Sequence, residues 1–484
     1  MPSAGRNFLF LLSDQHTRRA MGCMGHRLVE TPHMDRLAER GTLFTNAYTN
    51  APICVPARAA LATGQQVFEI GKWDNCQPYR GEQAAWGHRL RQASRTAVSI
   101  GKLHYRQESD PNGFDQSLLP LHIIDGVGML TTILRDPLPR GKKFFELVMN
   151  AGAGESSYTD YDLDITDRTI AWLHNEAPKR DKPWALFVSM VCPHPPWLAP
   201  DTFYQRYPLD RIELPMAYAT SQRPRHPGLD DFRHTFGVEG EFEEATLRKV
   251  IAAYYGMITY LDTNIGRILE ALDASGEADS TDILYSSDHG ESMGEKGMFS
   301  KCNMFEESVG IPMIFAGADI PRAAQVDTPT QLIDVFPTIL ESTQADAHDE
   351  DEEKRGASLQ RLANGERLDR TIIAEQHSAG CRSAVFMARH DNIKYVHYVD
   401  YAPELYDLGA DPFELNNLGE RPEHQPLVAD MEARLRAVVD PDAVDTQVKA
   451  DQAERIEAAG GAEAIAARGS HGYTPAPGET PNFG

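Results

Sequence analysis

Short runs of mainly apolar residues recur along the chain, and polar side chains follow each run directly. The clearest runs lie at 7–12, 97–100, 184–191 and 282–287. Continuous apolar runs of this length are typical of strands buried on both faces of a parallel sheet. A long segment of helical periodicity, 247–275, lies between two of them. The alternation predicts an α/β fold with a large, mixed, mostly parallel sheet sandwiched by helices.

Two helices are marked by the residues at their ends. The segment 31–40 has a proline in its first turn and stops before a glycine, as expected for a capped helix. The segment 57–63 predicts a helix that begins just after Cys54. Its first N–H groups and positive dipole end would face an anion held at Cys54. The acidic segment 346–354 predicts a solvated surface loop.

The pattern changes after about residue 365. Segments 384–389 and 393–399 predict adjacent antiparallel strands joined by a tight turn, and a helix near 425–438 closes this smaller α+β piece. The residues after about 440 are Ala- and Glu-rich, then Gly- and Pro-rich. They predict an arm on another subunit, or disorder, rather than part of the core. The predicted units are a large α/β domain over 1–365, a C-terminal antiparallel-sheet subdomain over 366–440 and an extended tail over 441–484.

Composition excludes some classes of partner. The chain has 484 residues, of which 47 are Lys or Arg and 71 are Asp or Glu, for a formal charge of −24. We therefore expect no nucleic-acid binding, because phosphate contacts need a basic stripe. An anionic substrate would be repelled at long range, so an anion site must be locally cationic.

No apolar run approaches the roughly 18 to 20 residues that span a bilayer, so no membrane association is expected. The run 8–12 is too short for the apolar part of a signal peptide. The six cysteines have no paired spacing, which is typical of reduced thiols. These features together predict a cytoplasmic protein.

Chemistry-bearing residues follow several of the predicted strands. Asp14 and Asp288 each end an apolar strand, Cys54 precedes a helix, and His289 is next to Asp288. Carboxyl ends of parallel strands meet at one edge of a sheet, where such folds bind ligands. Carboxylates suit a hard divalent cation, and imidazole is acceptable to manganese or zinc and tolerable beside calcium. For each aspartate alone, a turn or helix-cap role is the commoner explanation.

Fixed cations are needed wherever negative charge develops in a transition state. Arg58, Lys102 and Lys301 are the candidates, with His104 and His194 as proton donors or orienting groups. Lys301 follows the glycine-punctuated loop 290–297 and could equally be a solvated loop lysine. The amide of Asn75 could bind a substrate oxygen or belong to a turn.

The segment Cys54-Val55-Pro56-Ala57-Arg58 resembles the signature of the formylglycine sulfatases. Without that resemblance, Cys54 would be a small buried apolar residue. The order of six separated motifs, from residue 7 to about 418, resembles the type I sulfatases of the alkaline phosphatase superfamily. The nearest branch holds choline sulfatases, some bacterial arylsulfatases and phosphonate monoester hydrolases.

The resemblance implies a sulfuric ester hydrolase acting on a small-molecule sulfate ester. A formylglycine-generating enzyme would oxidise Cys54 to 3-oxoalanine (formylglycine), whose hydrate attacks sulfur to give a covalent sulfo-enzyme. Asp14, Asp288, His289 and modified Cys54 would hold the cation. Gln15 stands where many sulfatases have a second aspartate, which leaves calcium or manganese open.

The resemblance also implies further roles. Arg58 would fix the hydrate, and His104 would help expel sulfate by deprotonating the second hydroxyl. His194 or Lys301 would protonate the leaving alcohol. The residues expected to bind sulfate or leaving-group oxygens are Lys102, Lys301, His194 and Asn75. Gln15 is also expected among the substrate-binding residues.

Three alternatives remain. Phosphonate monoester and phosphodiester hydrolases resemble the chain but tend to carry tyrosine and threonine where Lys102 and His104 stand, so the sulfatase is favoured, with promiscuity expected. A choline sulfatase would need an aromatic or acidic cage; Glu375 and His377 could face the pocket or be ordinary strand-end residues. An inert sulfate-binding relative is the third. The tail also suggests a homo-oligomer, a dimer or tetramer, with a monomer as the remaining alternative.

Overall fold

The computed structural model describes residues 5–481. The expectation that no leader is present rests partly on residues 1–4, which lie outside the described residues. The strands are β1 (Asn7–Ser13), β2 (Thr42–Phe44), β3 (Ala47–Tyr48), β4 (Thr96–Lys102), β5 (Gln116–Leu121), β6 (Gly152–Ala153), β7 (Trp184–Ser189), β8 (Leu198–Ala199), β9 (Thr281–Ser287), β10 (Met313–Ala316), β11 (Ala324–Val326), β12 (Thr330–Gln331), β13 (Ile372–Gln376), β14 (Val385–His390), β15 (Ile393–Tyr398) and β16 (Tyr401–Asp407).

Fifteen α-helices accompany these strands in the described chain. They are α1 (Pro32–Arg40), α2 (Cys54–Thr63), α3 (Val67–Ile70), α4 (Trp86–Gln92), α5 (Lys143–Met149), α6 (Ser157–Asn175), α7 (Asp201–Tyr204), α8 (Pro227–Phe236), α9 (Glu244–Ser275), α10 (Glu306–Val309), α11 (Val335–Thr343), α12 (Leu359–Ala363), α13 (Gln425–Arg436), α14 (Pro441–Ala458) and α15 (Ala462–Arg468).

An eight-stranded sheet lies at the centre, in the order β11-β2-β10-β9-β1-β7-β4-β5. Within it β10 runs antiparallel to both of its neighbours, and the other pairs are parallel. This confirms the predicted large, mixed, mostly parallel sheet. The four strands predicted from apolar runs are β1, β4, β7 and β9, which are adjacent at its centre.

Both faces of the sheet are covered, which explains why its strands are apolar throughout. On β1, Leu9 and Leu11 belong to the core under one helical layer, whereas Phe8, Phe10 and Leu12 belong to the core under the other. The first layer contains α1, α6 and α9, and the second contains α2, α4 and α11. Alternate side chains of one strand therefore serve two cores.

Helix α2 begins at Cys54, three residues earlier than predicted. Pro56 lies in its first turn, where a proline lacks no hydrogen bond that the helix needs. The nucleophile candidate is therefore inside the helix rather than before it.

The acidic segment 346–354 is less solvated than predicted, because Asp351 lies 2.7 Å from the buried guanidinium of Arg89.

A second, four-stranded antiparallel sheet is formed by β13, β14, β15 and β16 in sequence order. It confirms the predicted C-terminal sheet, and β14 and β15 meet at a turn over Asp391 and Asn392. Helix α13 packs on this sheet, contributing Met431 and Leu435 to a core shared with Phe386.

The prediction of an extended tail is wrong for the described residues. Residues 441–468 form α14 and α15, and residues 469–479, here called the C-terminal strap, return to the large domain. Arg455 of α14 donates two hydrogen bonds of 2.8 Å to the buried Asp74, and Ala476 of the strap is 5% exposed in the main core. The sequence reasoning missed this packing because the tail's few apolar residues complete a core made by other segments.

Among residues 5–481, we find no helix with the length and apolar character to cross a membrane.

Candidate active site

The two candidate aspartates are brought together by strand pairing. β1 and β9 are adjacent and parallel, with Ser13 opposite Ser287. Asp14 and Asp288 therefore leave the sheet side by side at its carboxyl edge, and both are fully buried. This is the arrangement that the strand-end argument predicted.

Cys54 lies against the same group of residues, at the first turn of α2. Its Sγ is 3.1 Å from His289 Nε2, 3.3 Å from Lys301 Nζ and 3.8 Å from Asp14 Oδ1. Burial and Asp14 raise the pKa of the thiol, but Lys301, Lys102 and His289 outweigh them and hold it below its ordinary value. The surroundings of position 54 thus favour an anion.

These residues form a candidate cation site. One ligand atom from each of Asp14, Cys54, Asp288 and His289 lies within 4.8 Å of the others, and all four residues are buried. His289 Nδ1 is 3.1 Å from the carbonyl of Gly290, so Nδ1–H donates there and, in the neutral ring, Nε2 carries the lone pair. Two carboxylates and an imidazole lone pair fit a divalent cation such as calcium or manganese.

Arg58 spans the two carboxylates. Its Nε donates to Asp288 Oδ2 at 2.8 Å and its Nη2 to Asp14 Oδ2 at 3.1 Å. Its Nη1 donates to the carbonyl of Lys102 and to Ser189 Oγ, at 2.8 and 2.9 Å. The guanidinium therefore fixes the orientation of both carboxylates from the side of α2.

Lys102 is the second buried cation, with its Nζ 2.6 Å from Asp14 Oδ2. Burial would raise the pKa of Asp14, but Lys102, His194, Lys301 and Arg58 outweigh that effect and hold it well below its usual range. Asp14 is thus ionised, as a metal ligand must be.

Lys301 is not a solvated loop lysine, because it is 8% exposed. Its Nζ donates to Gln15 Oε1 at 2.6 Å as well as to Cys54. The amide nitrogen of Gln15 donates to Glu291, so Gln15 links Lys301 to a buried acid. Gln15 and Lys301 are thereby placed in the site that the resemblance implied.

The two histidines are held differently. His194 Nδ1 is 2.7 Å from the carbonyl of Pro195, so this nitrogen donates and Nε2 is left for a ligand. His104 Nε2 is 3.2 Å from Thr474 Oγ1. Burial, with a smaller effect of nearby cations including Lys102, holds the pKa of each histidine well below its usual value.

Asn75 lies close to Cys54, and its side chain caps the start of α2, the helix that carries Cys54. Its Oδ1 accepts the backbone N–H of Val55 at 3.0 Å, which satisfies one of the free donors at the start of α2. The neighbouring Asp74 accepts from Arg455 and Gln452 of α14. This turn therefore connects the C-terminal segment to the helix that carries Cys54.

The sequence reasoning missed three residues of this site. Glu291 is buried and accepts from Gln15 and from two backbone N–H groups. Tyr158 and Thr474 enclose the two histidines, with the tyrosine ring edge-on to His194 at 5.7 Å. Glu291 is close to Asp288 in sequence, which was an available signal. No pattern in the sequence pointed to Tyr158 or Thr474.

Comparison with known proteins gives consistent results. The profile of the sulfatase family matches residues 6–345, and that of the C-terminal part of N-sulphoglucosamine sulphohydrolase matches residues 294–440. Choline-sulfatase of Rhizobium meliloti (strain 1021) is 28% identical over 468 residues, covering 94% of this chain and 91% of that protein. Arylsulfatase K of Danio rerio is 26% identical over 462 residues, covering 91% and 85%.

Solved structures share the fold. The phosphonate monoester hydrolase of Agrobacterium radiobacter superposes with a TM-score of 0.72 at 23% identity, covering 92% of this chain and 96% of that one. A 2-O GAG sulfatase, BT1596, gives a TM-score of 0.72 at 22% identity, covering 93% and 94%.

Proposed function

Because the chain belongs to the sulfatase family and is a sulfuric ester hydrolase, we propose that it cleaves sulfate monoesters with a formylglycine hydrate formed at Cys54. The observation that supports this most is the position of Cys54 Sγ. It lies among the ligand atoms of Asp14, Asp288 and His289, all within 4.8 Å of one another. A hydroxyl oxygen at this position would be both a ligand and a nucleophile.

A divalent cation, calcium or manganese, would be held by Asp14, Asp288, His289 and the modified residue 54. When bound, it would lower the pKa of the attacking hydroxyl and polarise the sulfate oxygens. Arg58 contributes by holding both carboxylates in fixed orientations. Gln15, being uncharged, contributes an amide to this site instead of a third negative charge.

Lys102 and Lys301 are positioned to oppose negative charge on the sulfuryl oxygens. Lys301 is also the better candidate to protonate the leaving alcohol. His194 already donates its Nδ1–H to Pro195, so in the neutral ring Nε2 can only accept. An ammonium retains donors for both Gln15 and an incoming oxygen. His104 would then deprotonate the second hydroxyl of the hydrate so that sulfate is expelled.

An arylsulfatase-like preference remains a prediction, because the cavity of about 350 Å³ next to the C-terminal strap is not lined by Cys54 or by the residues around it. Its lining includes Phe144, Phe236 and Ala379, and Arg140 and Lys142 add positive charge. This lining suits an apolar or aromatic ligand that carries an anionic group.

A choline cage built on Glu375 is not supported. Its carboxylate oxygens accept from the backbone N–H of Phe68 and face His377 Nε2, each at 3.1 Å, and both Glu375 and His377 are buried. Phosphonate monoesters and phosphodiesters remain expected secondary substrates, because their transition states have a similar shape and differ mainly in charge.

The other expectations remain predictions: maturation by a formylglycine-generating enzyme, a homo-oligomeric state and a cytoplasmic location. All six cysteines are unpaired in the structure.

The test uses protein coexpressed with a formylglycine-generating enzyme. Mass spectrometry of the peptide containing Cys54 should show loss of SH and H and gain of O. Turnover of an aryl sulfate should be abolished in Cys54→Ala and Cys54→Ser. In the wild-type enzyme a chelator should remove the activity, and calcium or manganese should restore it. Choline sulfate and a phenylphosphonate ester complete the substrate panel. An unmodified cysteine, or undiminished activity in either variant, would exclude this mechanism.

A further inference from the structure

The C-terminal strap reaches the interior of the site at Thr474. The threonine is 9% exposed, and its Oγ1 is 3.2 Å from Nε2 of His104, which is 4% exposed. The two family profiles that match the chain end at residues 345 and 440, before this segment. A hydroxyl can donate or accept, so which nitrogen of the imidazole carries the proton depends also on the partners of the other ring nitrogen.

The backbone of Thr474 is held by a second buried residue. Tyr158 donates its hydroxyl to the carbonyl of Thr474, and its ring packs edge-on against Tyr473 at 5.4 Å and His194 at 5.7 Å. The strap is thus fixed by the tyrosine that also contacts the other active-site histidine. Thr474 is placed by packing rather than by the strap alone.

The other nitrogen of His104 is without a partner. Within residues 5–481, Nδ1 is buried and has no hydrogen bond. A neutral imidazole has one N–H and one lone pair. If Nε2–H donates to Thr474, the lone pair lies on Nδ1 and can accept a proton. The opposite tautomer would leave a buried N–H without an acceptor, which folded proteins rarely tolerate.

We propose that Thr474 is a positioning residue that holds His104 with its proton on Nε2, so that Nδ1 is the base of the second half of the reaction. This role rests on the proposed function. Nδ1 takes the proton of the free hydroxyl on the sulfated carbon, and the O–H electrons form the carbonyl. The C–O bond breaks, and sulfate leaves with that electron pair. The attack on sulfur does not require Thr474.

The experiment compares Thr474→Val with Thr474→Ser, using Thr446→Val as the matched control. Thr446 is exposed on α14 and bonds only its own helix among the described contacts. With 4-nitrophenyl sulfate, Thr474→Val should release the first equivalent of alcohol at the wild-type rate. Its steady-state kcat should fall about 10- to 100-fold, by analogy with residues that orient metal-bound histidines, while KM stays equal or falls.

The covalent sulfo-enzyme should then accumulate on the peptide containing residue 54. Thr474→Ser should recover most of kcat, and Thr446→Val should match the wild type. Tyr158→Phe, which frees the Thr474 carbonyl, should give the same pattern to a smaller extent.

Two results would overturn the role of Thr474 while leaving the proposed function intact. One is a wild-type kcat in Thr474→Val. The other is a slower burst and raised KM with no sulfo-enzyme, since general distortion of the site would produce that. A modified wild-type enzyme that cleaves no sulfate ester would instead overturn the proposed function and this role together.

Discussion

The ion pair between Arg455 and Asp74 should hold α14 against the large domain. Asp74 is fully buried, and the Arg455 side chain is 22% exposed. Its guanidinium donates to both carboxylate oxygens at 2.8 Å. Replacing the arginine in Arg455→Met keeps most of the aliphatic packing but leaves a buried carboxylate without its cation.

Breaking a buried pair in this way costs about 3 to 5 kcal/mol. Partial exposure of Arg455 lets solvent screen the interaction. We therefore expect the variant to lower the free energy of local opening of α14 by about 2 to 4 kcal/mol. At about 1.36 kcal/mol for each tenfold change, hydrogen exchange of α14 amides should accelerate about 30- to 900-fold. The matched control is Arg436→Met, whose partners Glu432 and Asp442 are exposed; it should cost at most about 1 kcal/mol.

The effect should depend on pH. Burial alone would raise the pKa of Asp74, but hydrogen bonds from Arg455 and Gln452 outweigh it and hold the value below its ordinary one. A lowered folded-state pKa gives stability that is complete above the unfolded value of about 3.9. That stability is lost as the pH falls through the folded value. The difference in opening free energy between wild type and variant should therefore be largest near neutral pH and shrink as the pH falls and Asp74 is protonated, after correction for intrinsic exchange rates.

Equal exchange of α14 in Arg455→Met and Arg436→Met at pH 7 would refute this reasoning. The double variant Arg455→Met/Asp74→Asn provides a second check. Removing the uncompensated charge should recover part of the lost stability, because the cost lies mainly in the unpaired carboxylate.

Two further predictions concern the site. Lys301→Ala should lower kcat for aryl sulfates about 100- to 1000-fold. The loss should be greater for an alkyl sulfate, because an alkoxide is a poorer leaving group and depends more on protonation. An equal loss with both substrates would contradict a role of Lys301 as the acid. Gly101→Ala should lose folding stability and activity, because the backbone there has φ +100° and a Cβ would lie 2.2 Å from the Ser189 carbonyl oxygen. Gly276→Ala is the control, because Gly276 also has a positive φ, of +80°, but open space around an added Cβ. Thermal unfolding should show that Gly276→Ala lowers the free energy of unfolding by only about 1 to 2 kcal/mol. Its activity should equal that of the wild type.

The sequence predicted the sheet and much of the site because both depend on local pattern. Strands buried on two faces must be apolar, so β1, β4, β7 and β9 stood out as runs. Parallel strands end at one edge of the sheet, so Asp14 and Asp288 were expected to lie together. Cys54 and Arg58 were found through a resemblance in adjacent residues.

Other contacts were outside the reach of the sequence. Glu291 is tied to Gln15 by an amide–carboxylate hydrogen bond that no periodicity marks. The tail looked unattached because α14 has few apolar residues; it is held by Arg455 on Asp74, 381 positions apart.

The amino-acid order by itself therefore determined which strands are buried, where they end and which residues carry chemistry there. Only the tertiary structure decided that Thr474 meets His104 and that Arg455 meets Asp74. Polar pairs of this kind are specified by geometry between distant segments. A single side chain leaves no pattern until its partner is brought opposite to it.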